Sequence, residues 1–484
     1  MKALLVIYGP TDGIELLRAA QALRSRGIDI AVHVVGHADV ILDRIGPSQS
    51  EGIMLSDIRG PVALNAQHTE FAPDAAAARP FIGRLLGRAF RYVRYRVGLQ
   101  LSATLPGEVF NLWTDRAACR RVLVSQKPDI LILPLESVGH HSATMAEAAY
   151  RRGIPVLVLP YTVPVNVPEL AERFYFDRTY WLNQFANRLI GWILPQWITV
   201  YRGRPLLRLR AREIVARWLL GLMPERPWDA GGLRYAGAIA IENDAMMAFY
   251  RRERFPQGKL QRTGAITDDL LAMMLERRDD LKAKLYQRLS LDPQKLLLVC
   301  GFPPDFTLRE QCDFKDFAEL RRFWLATLAG LQRFNVVIRP HPSLLPSDLA
   351  GFQSDNIRVV KDDTASLLPL CDVYVASVSS TIRWAIACGI PVINYDVFRF
   401  RYRDFNDAAG VVRLEERDAF VATLKRIDEE PDYLARLSCA QQSCRHQWGH
   451  LDGRSTERLA ALIEHLVRQP RLEPFAGRIQ GVAA

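Results

Sequence analysis

The chain has 484 residues, enough for two large domains or about three of average size, which excludes a small disulfide-stabilised module. Its 49% apolar and 24% charged residues, with a mean hydropathy of -0.03, exclude a disordered chain and a polytopic membrane protein. The 63 lysines and arginines against 53 acidic residues give a net charge of +10, which favours anionic partners such as nucleotides, nucleic acid or an acidic membrane surface.

Short apolar runs typical of buried parallel strands alternate with helical patterns along most of the chain. The predicted strands are, in chain order, 3–8, 28–35, 129–134, 155–160, 296–300, 336–338, 372–376 and 391–394. This order predicts an α/β fold with two Rossmann-like, doubly wound domains facing each other across a cleft. Ligands are expected beyond the carboxyl ends of the strands.

A helical, charged stretch separates the two series of strands. The predicted organisation is an N-terminal domain at 1–270, a linker at 271–291, a C-terminal domain at 292–450, and a final helix and tail at 451–484 that crosses back to the N-terminal domain.

Two basic, aromatic segments, at about 81–101 and 170–222, interrupt the first domain and are predicted to be helical insertions. The longest uncharged run in the second, 189–201, is too short for the roughly 20 residues of a spanning helix. The favoured interpretation is packed helices with solvated arginines. The alternative is a peripheral contact with a membrane, which would suit a lipid-linked acceptor, whereas nucleic acid is not expected.

The seven cysteines are odd in number, scattered and never spaced as Cys-x-x-Cys, so they indicate neither a zinc knuckle nor a disulfide framework. A reducing cytoplasm fits this usage best. The apolar run that starts the chain is only about six residues long and ends at Gly9-Pro10, so we interpret it as a first buried strand and not as a signal peptide.

A strand ending at Ile338 leads into Arg339-Pro340-His341-Pro342. The two prolines fix φ and exclude helix around His341, so the loop is predicted to hold the imidazole and the guanidinium of Arg339 against a phosphate. The alternative is a proline-rich turn with a surface histidine and an arginine paired to a carboxylate.

Hydroxyl residues follow the next strand, where Ser379, Ser380 and Thr381 precede an apolar helical run closed by Gly389. Capping serines and the free N–H groups of a helix start are suited to bind phosphate, although capping alone explains them equally well. Gly301, after the strand at 296–300, is predicted to lie under a donor.

The C-terminal half resembles the nucleotide-binding half of GT-B glycosyltransferases. The similar branch includes CDP-glycerol glycerophosphotransferases, polysialyltransferases, capsule-polysaccharide transferases and hydrolysing UDP-N-acetylglucosamine 2-epimerases. The resemblance rests on Arg339-Pro340-His341-Pro342, on Ser379-Ser380-Thr381 and on Ala385-Ile386-Ala387-Cys388-Gly389-Ile390-Pro391-Val392. Gly264-Ala265-x-x-Asp268 and Asp452-Gly453-Arg454-Ser455 are similar to further family features. The specific motifs cover only about 335–395.

The departures from this branch narrow the expected chemistry. Arg383-Trp384 occupies the zone where epimerases have paired glutamates, which argues against epimerisation. Neither Glu-x7-Glu nor Asp-x-Asp is found, so the expectation is transfer without a metal or other cofactor, in which protein cations stabilise the departing phosphate.

Direct displacement also requires a general base, which this architecture would take from the N-terminal domain. Glu136, Asp12 and His140 are nearly equal candidates. The alternatives are that Asp12 is a turn or capping residue, that His140 caps the next helix or binds phosphate, and that Glu136 orients the histidine. Glu15 and His141 are expected near the acceptor.

The segment 398–404 alternates aromatic residues with arginine. We interpret it as a solvated edge, or alternatively as a surface that places Arg401 against an anionic sugar or acceptor.

Together these patterns predict a glycosyltransferase that moves a sugar, or a phospho-alditol, from a nucleotide-activated donor to a cell-surface glycan or lipid-linked acceptor. Its expected location is the cytoplasm, including the inner face of the membrane. The alternatives are a hydrolysing nucleotide-sugar 2-epimerase and a basic scaffold without activity that binds membranes or nucleic acid.

Overall fold

The computed structural model describes residues 1–35, 54–57, 60–62, 104–161, 167–224, 226–228, 234–306, 312–341, 344, 355–377 and 379–469. For 10–12, 54–57, 60–62 and 169 only the backbone is described. The predicted insertion at 81–101 and the side chain of Asp12 therefore lie outside the described residues.

Strands and helices alternate along the described chain. The strands are β1 (Lys2–Ile7), β2 (Asp29–Val34), β3 (Met54–Asp57), β4 (Gly60–Val62), β5 (Ile130–Leu133), β6 (Val156–Val158), β7 (Ile198–Tyr201), β8 (Arg204–Leu207), β9 (Ala238–Ile241), β10 (Leu260–Arg262), β11 (Leu296–Phe302), β12 (Phe334–Pro340), β13 (Ile357–Val359), β14 (Val373–Ala376), β15 (Val392–Tyr395) and β16 (Val411–Leu414). The helices are α1 (Pro10–Arg24), α2 (Leu105–Gln126), α3 (His141–Tyr150), α4 (Val167–Tyr175), α5 (Phe185–Ile193), α6 (Ala211–Leu219), α7 (Asp244–Arg252), α8 (Ile266–Glu276), α9 (Arg278–Leu289), α10 (Phe317–Ala329), α11 (Thr364–Leu367), α12 (Ile382–Ala387), α13 (Arg417–Glu429), α14 (Pro431–Cys444) and α15 (Ser455–Arg468).

The first sheet has eight strands among the described residues, in the order β10-β9-β6-β5-β1-β2-β3-β4. Pairing is parallel from β9 through β6, β5, β1 and β2 to β3, and antiparallel between β3 and β4. The inner strands β1 and β5 are almost wholly buried, as their unbroken apolar sequences predict for a sheet covered on both faces.

The second sheet has six described strands in the order β13-β12-β11-β14-β15-β16, all paired in parallel. Large aromatic side chains fill its core: Trp324 of α10 and Tyr395 of β15 are fully buried, and Tyr395 stacks on Phe420 with ring centroids 4.5 Å apart. All eight predicted strands are present, which confirms the predicted α/β fold with two largely parallel sheets.

The segment 170–222, for which the sequence predicts helices, also contains a β-hairpin. Strands β7 and β8 pair in antiparallel register around Arg202 and Gly203, both of which have positive φ. Two residues with positive φ make the tight hairpin turn whose twist matches that of the strands, and glycine adopts this conformation without strain. The Arg-Gly turn therefore forms a hairpin within a segment for which the sequence predicts only helices.

The chain forms two compact units that cross the predicted domain boundaries. The first comprises the described residues of Met1–Ile239, Glu253–Gln261 and Leu462–Ala484, and the second those of Ala240–Arg252 and Arg262–Ala461. We call them the N-terminal and C-terminal units. Two segments before residue 270, Ala240–Arg252 and the residues from Arg262 onward, thus belong to the C-terminal unit.

Candidate functional site

Strand order indicates where a ligand would bind in the C-terminal unit. The chain runs from β11 outward to β12 and β13, and then returns to the other side of β11 to form β14. In open α/β sheets ligands bind beyond the carboxyl ends of the strands at the point where this order reverses. Gly301, at the end of β11, pairs in register with Arg339 on one side and with Ala376 on the other. The predicted phosphate-binding loops therefore flank one position.

A buried tyrosine connects three of the predicted residues. The hydroxyl of Tyr374 lies 2.6 Å from Oγ1 of Thr381, which lies 2.8 Å from Oγ of Ser379. A methyl group on Gly301 would overlap the Tyr374 hydroxyl. Gly301, Ser379 and Thr381 are thus brought together as one cluster, which we call the hydroxyl cluster. Ser380 lies beside it and is exposed.

Tyr374 is a site residue that the sequence reasoning missed. It lies within the apolar β14 and is buried, and burial raises its pKa well above the usual range, so the phenol stays protonated. The only signal in the sequence was a polar tyrosine within a run of small apolar residues. Its position beside Gly301 follows from the pairing of β14 with β11.

The helix after the hydroxyl cluster is short. Helix α12 spans six residues, and Oγ of Ser379 accepts the backbone N–H of Thr381 at 3.3 Å. Gly389 has φ of +74° just past the end of the helix, which confirms its predicted role as the stop.

Arg339 lies near the end of β12, paired in register with Gly301 of the hydroxyl cluster, and His341 directly follows the strand. The Arg339 guanidinium donates to the backbone carbonyls of Asp362, at 2.9 Å, and Pro340, which occupies part of its five-donor capacity. Burial lowers its pKa, and the neighbouring carboxylates of Asp362 and Asp363 oppose that shift. The amide of His341 donates to the carbonyl of Phe302 at 3.1 Å, so the half-buried histidine is tied to the end of β11.

Arg383 is buried within an ion-pair network. Its guanidinium lies 3.1 Å from Glu242 and 3.0 Å from Asp268, and both carboxylates are buried. Asp269, next in the chain, accepts the amides of Ser455 and Thr456 at 2.8 Å and so caps α15. These contacts tie segments before 270 to α12 and explain why they belong to the C-terminal unit.

Arg401 lies in a loop organised by a carboxylate. Its amide donates to buried Asp396 at 2.6 Å, and its exposed guanidinium lies 3.0 Å from Glu415. Phe400 and Tyr402 stack at 5.4 Å. The ion pair is the arrangement expected for a solvated edge, and the predicted acceptor role of Arg401 stays a prediction.

The N-terminal unit has its own reversal of strand order, between β1 and β5. The two loops nominated from the sequence follow these neighbouring strands. The ring of Tyr8, after β1, lies 4.5 Å from that of His140 and 5.8 Å from that of His141, centroid to centroid. Glu15, in the first turns of α1, pairs with Arg18. The structure therefore brings the histidines to the carboxyl end of β1.

Glu136 is engaged by the backbone. Its buried carboxylate accepts the amides of Arg234, Tyr235 and Ala236 at 2.8–3.2 Å. Burial raises its pKa while these N–H groups lower it. With both oxygens occupied, the geometry favours a structural role over the predicted role as general base.

His140 caps α3 and is only partly exposed. The amide of Ser142 donates to Nδ1 of His140 at 3.3 Å, so the neutral ring carries its proton on Nε2. Burial and the neighbouring His141 lower the pKa of His140, which keeps the ring neutral near pH 7. The Nε2–H group is then a hydrogen-bond donor.

One group of described side chains has ligand atoms close enough to hold a metal ion. Atoms of Asp115, Cys119 and His141 lie within 4.8 Å of one another. They also satisfy each other, since Nε2 of His141 lies 3.1 Å from Asp115 and 3.4 Å from the Cys119 sulfur. Burial raises the pKa of Cys119 well above its usual range, so its thiol is protonated in this arrangement.

Two cavities lined by described residues lie elsewhere. One of about 310 Å³ opens at the amino ends of β5 and β6, and one of about 640 Å³ at the amino end of β11. Both lie at the amino ends of the strands, whereas the loops described above lie at the carboxyl ends, so neither cavity is the candidate site.

No protein-family model matches the chain, and none of the curated protein sequences is significantly similar to it. Solved structures are similar. UDP-GlcNAc 2-epimerase from Neisseria meningitidis, bound to UDP-GlcNAc, has a TM-score of 0.52 at 13% identity, covering 96% of this chain and 100% of that chain. The glycosyltransferase of kitacinnamycin has a TM-score of 0.53 at 14% identity, covering 96% and 98%. The wall teichoic acid polymerase TagF has a TM-score of 0.51 at 9% identity, covering 96% and 89%.

These similarities extend over nearly the whole chain at identities that establish architecture alone. They agree with the two reversals of strand order and with the two compact units of the chain. The chain has the GT-B fold that is shared by glycosyltransferases and UDP-GlcNAc 2-epimerases.

Proposed function

We propose that the protein is a glycosyltransferase that moves a sugar, or a phospho-alditol, from a nucleotide-activated donor to a glycan or lipid-linked acceptor. The observation that carries this proposal is the hydroxyl cluster at the strand reversal of the C-terminal unit, flanked by Arg339 and His341. The structurally similar proteins include glycosyltransferases and an epimerase bound to UDP-GlcNAc, which supports a nucleotide-sugar donor.

If a sugar is transferred, an acceptor hydroxyl oxygen attacks the anomeric carbon while the bond from that carbon to the phosphate oxygen breaks. If a phospho-alditol is transferred, the acceptor oxygen attacks the phosphorus of that group while the bond from this phosphorus to the oxygen shared with the nucleotide phosphate breaks. The nucleotide leaves with the bonding electrons, and the configuration inverts if a sugar is transferred. The departing phosphate gains charge, so cationic and hydroxyl donors held in place by a rigid sheet edge stabilise the transition state more than the ground state. Arg339, His341 and the hydroxyl cluster are the donors we assign to this role, without a metal.

The acceptor proton must pass to a base, which we assign to the N-terminal unit. Asp12 and His140 are the two candidates we retain, because Glu136 is occupied by backbone amides. The tautomer of His140 with the proton on Nε2 suits a donor to the acceptor better than a base. Asp12→Asn and His140→Asn separate the two, since only loss of the base lowers kcat by the 10²–10⁴-fold range typical of general base catalysis. Asp29→Asn, at the exposed start of β2, is the matched control.

Nucleotide binding is the first test. A thermal-shift panel of UDP, CDP, CMP, GDP and their sugars is run on the wild type, on His341→Ala and on His446→Ala, whose histidine is exposed on the same unit. A ligand at about 100 times its dissociation constant stabilises by roughly 2.7 kcal/mol. We expect one nucleotide to stabilise the wild type and His446→Ala but not His341→Ala. A full shift in His341→Ala would remove His341 from the site.

The epimerase alternative is supported by the similarity to UDP-GlcNAc 2-epimerases. It predicts turnover of a sugar nucleotide without an acceptor, whereas the transferase requires one. Against it, Arg383 stands in the zone of the epimerase glutamates and is committed to two buried carboxylates. If no nucleotide is released from any donor and binding to anionic polymers falls steeply with salt, the inactive scaffold replaces both enzymes.

We place the reaction in the cytoplasm. All seven cysteines are free thiols, as expected for a reducing compartment.

A further inference from the structure

Helix α5 presents large apolar side chains outward. Phe185 and Trp192 are 84% and 82% exposed, and Leu189 and Ile193 are 46% and 55% exposed. Their spacing of four, seven and eight residues places them on one face of the helix. Soluble chains seldom leave contiguous large apolar residues in water, so this face indicates an interaction surface. We call it the α5 face.

The α5 face is held in place and is not the outer side of a loose helix. Asn187, on the inner side of α5, is buried and donates to the carbonyls of Thr179 and Trp181 at 2.9 and 2.8 Å. Its side-chain oxygen accepts the amide of Ala211 at 3.2 Å, at the start of α6. Ile190 of α5 packs against the apolar cluster that contains fully buried Trp197. The inner side is therefore fixed, and the apolar side stays turned to solvent.

The neighbouring elements expose further apolar residues. Val200 of the β7–β8 hairpin and Trp218 and Leu219 at the end of α6 are all more than half exposed. Trp181 is covered by the guanidinium of Arg204, 3.6 Å above its ring. Tryptophan beside arginine is typical of surfaces that enter the polar headgroup region of a bilayer.

The segment that carries these residues is strongly basic. Residues 178–222 contain eight arginines and a single acidic residue, Glu213. Arg208 and Arg217 are buried, whereas Arg188 of α5 and Arg202 of the β7–β8 hairpin are exposed on the same elements as the exposed apolar side chains. An apolar protein partner does not require this charge, whereas a bilayer with anionic lipids attracts it over the range of the Debye length.

We propose that the α5 face and the β7–β8 hairpin dock the protein on the surface of a membrane that contains anionic lipid. The docking is peripheral, since no described helix is long and apolar enough to cross a bilayer. The inference goes beyond the proposed reaction and does not depend on it, because it concerns surface chemistry far along the chain from the hydroxyl cluster. If both hold, docking brings the enzyme to a lipid-linked acceptor.

Vesicle co-sedimentation without nucleotide tests the proposal. The full chain is mixed with vesicles of phosphatidylcholine alone or with about 30% phosphatidylglycerol, for the wild type and for the double variant Phe185→Ser, Trp192→Ser. The control, Met273→Ser with Val421→Ser, removes two exposed apolar residues from the C-terminal unit. We expect the first double variant to bind anionic vesicles at least about tenfold more weakly, because two large side chains no longer partition, and the control to bind within twofold of the wild type.

Charge reversal gives a second readout that does not depend on the apolar residues. Arg188→Glu, on exposed α5, should weaken binding to anionic vesicles and leave the weak binding to neutral vesicles unchanged. Unchanged binding of the Phe185, Trp192 double variant would overturn the proposal. So would a wild type that binds no vesicles but sediments as a dimer that the same variant converts to a monomer, since the occupant would then be a second copy. Because nucleotide release is measured separately, failure of docking and failure of the proposed function are distinguishable.

Discussion

Gly301 and Tyr374 offer a double test of the candidate site. A methyl group at Gly301 would overlap the Tyr374 hydroxyl, while the ring carbons nearest to it stay at 3.3 and 3.5 Å. Overpacking a core position costs about 1–3 kcal/mol, and Tyr374→Phe, which removes one hydrogen bond to Thr381, costs about 0.5–1.5 kcal/mol. The overlap disappears when the hydroxyl is gone. The double variant Gly301→Ala, Tyr374→Phe should therefore be at least about 1 kcal/mol more stable than the sum of the two single-variant effects predicts.

The free energy of unfolding is best followed in the C-terminal unit alone, because a chain with two units need not unfold in one step. Amide hydrogen exchange under increasing urea, read from peptides that cover β11 and β14, reports on this unit. The same variants are then titrated with the nucleotide found in the thermal-shift panel. Tyr374→Phe should weaken nucleotide binding, because Thr381 and Ser379 lose the group that orients them.

Additive effects in this cycle would mean that the hydroxyl does not lie over Gly301, and the description of the hydroxyl cluster would be wrong. Coupling in stability without any change in nucleotide binding would leave the geometry intact and separate it from the proposed function.

Arg383→Met should destabilise the C-terminal unit by about 3–5 kcal/mol, because it leaves two buried carboxylates without their cation; urea unfolding measures it, and a loss below 1 kcal/mol would contradict the network. Glu136→Gln should cost about 1.5–3 kcal/mol of stability, since an amide cannot accept all of the backbone N–H groups, yet leave the pH profile of kcat unchanged; a shifted profile would restore Glu136 as base. Burial lowers the pKa of His140, so the unfolded chain takes up a proton at this histidine before the folded chain does as the pH drops from 7 to 5. The free energy of unfolding of the wild type should therefore fall relative to that of His140→Asn, which keeps an N-cap residue. Parallel plots of stability against pH for the two proteins would disprove the lowered pKa. Dialysis against EDTA should leave activity unchanged, and an activity that zinc restores would point to a bound metal.

Sequence periodicity was sufficient for the fold because parallel strands buried on both faces have a simple signature of unbroken apolar runs. It missed six strands of three or four residues each that lie toward the sheet edges, namely β3, β4, β9, β10, β13 and β16, and it read the β7–β8 hairpin as helix. The proline-rich and serine-rich loops were found because proline and hydroxyl residues restrict local conformation, which a sequence displays directly.

Partnerships over long separations were beyond the sequence. No local sequence pattern predicts that Arg383 pairs with a carboxylate 115 residues earlier, or that the Glu136 carboxylate accepts hydrogen bonds from amides about 100 residues later. Both are ordinary charged residues until the chain folds back. The same applies to Tyr374, whose position over Gly301 depends on which strand the returning chain joins.

The division of the chain has a consequence for its synthesis. The polypeptide passes between the two units at 239–240, 252–253, 261–262 and 461–462, and the N-terminal unit receives residues from Leu462 onward, including buried Leu466. A ribosome therefore releases this segment only after the C-terminal unit has been made, so the N-terminal unit stays incomplete while the other emerges. Domains usually fold one after another during translation. Here the N-terminal unit cannot be completed before the C-terminal unit has been made, and a single cut within Arg262–Ala461 would leave neither piece with the whole sequence of one unit.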